Sequence, residues 1–183
     1  MPAIVDRRDR ALLLTAFAAG GRRRSEVAGL RVEDLTDEEP VRADRADKNS
    51  PACLSIRLGR PKTTTADDDE HVLLIARPVT VLKQWLTEAQ INDGPLFRRI
   101  DQWGNVDRRA LTPQSVNLVL KRRCQQAGLD AEKFSAHGLR SGYLTEAANH
   151  GFPFRSDAAV AAQVGDAGGE LLQQRRSKEM SRC

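Results

Sequence analysis

Ser135-Ala136-His137-Gly138-Leu139-Arg140-Ser141-Gly142-Tyr143 is the stretch on which the reading of this chain turns. Ser135 is an N-cap residue type, Leu139, Tyr143 and Ala147 recur at helical spacing, and Gly151 is a stop signal. A helix is therefore predicted from about Ala136 to His150. Residues three apart on a helix share a face, so the His137 imidazole and the Arg140 guanidinium can reach one anion together. Taken alone, the pair also fits an ordinary solvated surface helix.

Working back from it, Thr112-Pro113 is a cap and first-turn pair for a helix that runs to Ala127 and stops at Gly128. Its Lys121-Arg122-Arg123 is either solvated or turned to phosphate. Pro78 opens another helix, with Val81, Leu82, Trp85, Leu86 and Ala89 on its core face. Between these two helices, Gly94-Pro95 and Trp103-Gly104-Asn105 mark a loop. Cys53 to Leu58 alternates as a strand, and His71 to Ala76 is its partner in a short hairpin expected at the edge of the domain, with Lys62 at the tip or shoulder. Glu33 to Ser50 reads as loop with one short strand at most. Near the start, a helix from Asp6 presents Leu13, Ala16 and Phe17 and ends at Gly20-Gly21. Ser25 and Glu26 then open a short helix through Leu30.

The 183 residues are enough for one cored domain, expected over 6–153, followed by an irregular tail over 154–183. A net charge of +4 and arginine clusters at 22–24, 121–123 and 175–176 suit a polyanionic partner. Three widely spaced cysteines, Cys53, Cys124 and Cys183, argue against a disulfide framework or a zinc site and fit a reducing, cytoplasmic setting. The longest apolar run, Ala11 to Ala19, is too short to span a bilayer. The expected fold class is mainly α with a small antiparallel β-sheet.

Three separated pieces, Gly21-Arg22-Arg23-Arg24-Ser25-Glu26-Val27, Gly59-Arg60-Pro61-Lys62-Thr63 and His137-Gly138-Leu139-Arg140, together resemble the catalytic domain of the tyrosine recombinases, the phage-integrase family. That family carries an arginine shortly before Ser-Glu, a lysine on a β-hairpin and a His-x-x-Arg helix, in this order. The resemblance implies the fold of that catalytic domain, incomplete here at the C-terminus. It implies site-specific DNA recombination or integration through a phosphotyrosyl intermediate, without metal or cofactor. Arg23 and Arg140 are then the guanidiniums that stabilise charge on the non-bridging phosphate oxygens. Lys62 is the donor of a proton to the leaving 5′-oxygen, and His137 adds a hydrogen bond and helps manage the nucleophile's proton. Glu26 either orients Arg23 or is an ordinary acid at a helix N-terminus. Arg60, Lys121 and Arg122 are expected to contact double-stranded DNA.

The chain departs from the family at the nucleophile. Its one tyrosine, Tyr143, lies three residues beyond Arg140, where the family has a packing position. Every residue from Asp157 to Glu170 except Gln163 is encoded only by G-first codons. Codon choices exist for which the neighbouring frame spells a His across Ala162 and Gln163 and a Tyr across Leu171 and Leu172. The expectation is therefore an out-of-frame tail and a chain that cannot form the covalent intermediate. It would be a monomer off DNA, and an alternative role is as a non-catalytic competitor or partner of full-length recombinase protomers. A helical scaffold unrelated to recombination is the reading from another class.

Overall fold

A computed structural model describes residues 3–39, 51–58 and 70–149. Five helices and five strands occur among them: α1 (Ile4–Ala18), α2 (Arg24–Gly29), β1 (Leu35–Glu38), β2 (Cys53–Leu58), β3 (Glu70–Ile75), α3 (Arg77–Glu88), β4 (Arg98–Ile100), β5 (Val106–Ala110), α4 (Pro113–Gln126) and α5 (Ala136–Asn149). The mainly helical architecture with small antiparallel sheets is the one expected from sequence.

The helices start where local chemistry tells them to. Thr112 caps α4, its hydroxyl oxygen accepting the Ser115 N–H at 3.2 Å, and Pro113 follows in the first turn. Ser135 caps α5 in the same way, accepting the Gly138 N–H at 3.1 Å. Pro78 sits in the first turn of α3, which buries Val79, Val81, Leu82 and Trp85. The Trp85 indole N–H donates to the Leu96 carbonyl at 2.8 Å, so the largest core side chain leaves no polar atom stranded.

β1, β2 and β3 form an antiparallel sheet in that order, with Ile56 opposite both Leu35 and Val72. The predicted hairpin is thus present, but it is no marginal edge element. Its strand β2 is the central one, and Cys53, Leu54, Ser55 and Ile56 are all buried, so both faces of the strand are covered. Arg60 and Lys62 lie between β2 and β3, outside the described residues.

Two sequence expectations are corrected. The loop predicted between α3 and α4 contains a second hairpin, β4–β5, closed by the Asp101 carboxylate, which accepts the N–H groups of Trp103 (2.9 Å) and Asn105 (2.8 Å). These bonds, with that from the Asn105 side chain, hold the Asp101 pKa below its ordinary value. Its strands are too arginine-rich to show apolar alternation, which is why periodicity missed them. The second correction concerns α1. Its core stripe is Ala11, Leu12, Thr15 and Ala16; of the expected face of Leu13, Ala16 and Phe17, only Ala16 is fully buried, Leu13 packs half-buried against the core and Phe17 turns to Tyr143, because an apolar run has no polar side to fix its orientation.

That stripe continues into charge. Asp9 is 0% exposed, and its carboxylate accepts from Arg8 Nη2 (2.7 Å), Arg123 Nη2 (2.7 Å) and the Arg122 guanidinium. Arg123 also reaches Asp6 at 2.6 Å, and that contact holds the Asp6 pKa below its ordinary value. α4 is therefore tied to α1 by the very arginines that composition offered to phosphate. Removing one partner of a buried ion cluster strands the rest. We expect Asp9→Ala to lower stability by about 3–5 kcal/mol, while Lys121→Ala, which breaks the exposed Lys121–Glu132 pair, costs less than about 1 kcal/mol. Urea unfolding of the two variants checks the contrast.

Candidate phosphate-binding site

The triple arginine after α1 divides its labour. Arg22 turns back, its Nε donating to the Ala19 carbonyl at 2.7 Å beyond the last turn of α1, where a cation suits the helix dipole. Arg23 and Arg24 point the other way and line a cleft. Arg23 is the N-cap residue of α2, and its backbone N–H donates to the Glu26 carboxylate at 3.0 Å. Glu26 is thus the acid of the helix N-terminus, and its contact is with the Arg23 backbone.

α5 supplies the opposite wall. His137 in its first turn and Arg140 in its second are exposed and line the same cleft of about 440 Å³, while Ala136 and Tyr143 are buried and Leu139 packs on the core. Among the described residues the lining carries three guanidiniums and an imidazole, with Ser25, Asn117 and Ser135 as neutral polar groups and no carboxylate. Such a concave cationic surface at the start of a long helix suits a phosphate or another oxyanion.

The two walls meet through glycine. Gly21 has φ +64°, and a Cβ there would lie 2.3 Å from the Arg140 Cα and 2.8 Å from its nitrogen. Backbone touches backbone at the residue that carries the second guanidinium. A second mount comes from α4, where the Asn117 Oδ1 accepts the Ala136 N–H, the first of α5, at 3.0 Å. Neither role was legible in sequence. Gly21 reads there as a helix stop, and Asn117 as one polar residue on an amphipathic helix.

A family model described as the phage integrase family matches residues 3–161. The chain belongs to the phage integrase family. The integrase/recombinase xerD homolog of Selenomonas ruminantium is 34% identical over 149 residues, which are 78% of this chain and 40% of that protein. A solved structure of XerH site-specific recombinase bound to difH substrate, a pre-cleavage complex, is similar with TM-score 0.54 and 27% identity, covering 90% of this chain and 40% of that one. The post-cleavage complex with palindromic difH substrate has TM-score 0.56 at 23% identity, a likeness of fold, covering 97% and 47%. The chain thus spans less than half the length of these relatives.

Within this phage integrase fold, the structure brings Arg23, His137 and Arg140 to one cleft and leaves other expected contacts elsewhere. Lys121 and Arg122 are engaged with Glu132 and Asp9, although the Arg122 side chain keeps 46% of its surface exposed. Tyr143 is buried edge-on against Phe17, the ring centres 5.8 Å apart, and burial pushes its phenol pKa up. It is a packing residue of the α1–α5 contact.

Gly20 tests the meaning of Gly21. It too has positive φ, but a Cβ there would meet only the Tyr143 ring edge, at 3.8 Å. We expect Gly20→Ala to cost about 1 kcal/mol and Gly21→Ala at least about 2 kcal/mol more, from overpacking against α5. The difference between their urea midpoints is the measurement.

Proposed function

We propose that the cleft holds one phosphodiester of duplex DNA and that the chain is the DNA-binding core of a site-specific recombinase. The observation that carries this reading is the convergence of Arg23 with His137 and Arg140, from distant parts of the sequence, on one concave surface without a carboxylate among its described lining residues. Two planar guanidiniums there donate paired hydrogen bonds to the non-bridging oxygens, and charge builds on those oxygens as phosphorus becomes five-coordinate. Loss of such a donor costs about 3–4 kcal/mol of transition-state stabilisation. In the reaction so assigned, a tyrosine hydroxyl attacks phosphorus, the 3′-phosphotyrosyl bond forms, and the 5′-oxygen leaves with a proton from Lys62. His137 hydrogen-bonds the phosphate and helps take the hydroxyl's proton.

The attacking tyrosine is not Tyr143. A ring packed on Phe17 under the α1–α5 contact has no path to a phosphate, and its raised pKa is the opposite of what a poised nucleophile needs. We therefore read this chain as one that binds DNA without forming the covalent link by itself, competing for sites or pairing with a protomer that brings the tyrosine. Arg60, Lys121 and Arg122 are assigned to the flanking phosphate contacts, a role that the exposed part of the Arg122 side chain allows.

Duplex binding measured across a salt series, with denaturing gels for adducts, tests the assignment. Arg23→Ala and Arg140→Ala should each weaken binding and flatten the slope of log K against log salt concentration by about 1. The parent should give no covalent adduct. Slopes equal to the parent's would remove the phosphate from this cleft, and an adduct formed by the parent would contradict the missing nucleophile.

A further inference from the structure

Asn117 does more at the cleft than hold the start of α5. The atom facing the Ala136 N–H must be the side-chain oxygen, because a backbone amide only donates, so the hydrogen bond itself settles which way the carboxamide is turned. Asn117 is half-buried and lines the cleft beside Arg140 and His137. Its remaining polar atom, Nδ2, takes no hydrogen bond among the described residues. A two-proton donor, oriented by its own oxygen and without an acceptor among the described residues, is thus built into the lining beside the flexible cations.

We propose that Asn117 Nδ2 donates to a non-bridging oxygen of the phosphodiester in the cleft, which makes Asn117 a further phosphate-binding residue that is neutral and fixed in place. This rests on the cleft being the phosphate site. The physical advantage is preorganisation. An arginine side chain loses rotamer freedom when it clamps an anion, whereas the Asn117 carboxamide has already lost it to the Ala136 bond.

The full chain, labelled with nitrogen-15, is titrated with inorganic phosphate and followed by NMR. Asn117→Asp keeps an oxygen for Ala136 but lacks the carboxamide protons, so the signals it removes identify Nδ2. The expected result is a downfield shift of the Asn117 carboxamide protons that saturates together with the Arg140 Nε signal, while the Ala136 amide stays in place. An Arg140 shift with Asn117 unmoved would overturn the donor role and keep the cleft. Asn117 and Ala136 moving together would overturn it as well, since that reports a shift of α5. If neither Arg140 nor Asn117 responds, the phosphate site itself falls.

Discussion

A carboxylate sealed from water must be matched by charge, and the match to Asp9 determines how this molecule is assembled. Its partners come from α1 itself, through Arg8, and from α4, through Arg122 and Arg123. The desolvation cost of the carboxylate is offset only while both helices keep their places. Everything at the cleft hangs from those two helices. α1 runs out into the Gly20-Gly21 turn that abuts α5, and α4 offers Asn117 to the first amide of α5. The residues that resemble a DNA-binding arginine cluster thus serve in part as the frame on which the cleft-lining arginines are carried.

The functional side chains are long and exposed, so their precision has to come from the main chain beneath them. Arg23 stands on a backbone whose N–H is fixed by Glu26, and Arg140 on a backbone pressed against Gly21. Short backbone contacts hold the bases of the two guanidiniums, whose exposed ends line the cleft. The strand segments join this frame from the far side. Leu30 and Val32, just past α2, exchange backbone hydrogen bonds with Gly94 and Leu96, which anchors the exit of α2 to the core around Trp85.

What was legible in the sequence was what is decided locally. The caps at Thr112 and Ser135 and the shared face of His137 and Arg140 follow from residues within one or two turns of one another, and the pairing of 53–58 with 71–75 joins two strands that are neighbours along the chain. The β4–β5 hairpin was hidden because Arg98, Arg99, Arg108 and Arg109 break any apolar alternation, even though Arg98 is buried by bonding to the Pro95 and Asp93 carbonyls. The partner of Arg122 and Arg123 was hidden because Asp9 is more than a hundred residues away and reads as an ordinary helical acid. Gly21 and Asn117 were hidden for a related reason. A close approach and a single hydrogen bond between distant helices leave no periodicity behind.

Arg23 and Arg140, held at their bases by backbone contacts, are proposed to close on one phosphate. A crystal structure of the chain with orthovanadate, a tetrahedral and five-coordinate phosphate mimic, tests it most directly. The account requires the oxyanion between the two guanidiniums, within hydrogen-bonding distance of both, with α5 still seated on Gly21. An anion held instead on Arg122 beside Asp9, or bound by only one of the two arginines, would contradict it.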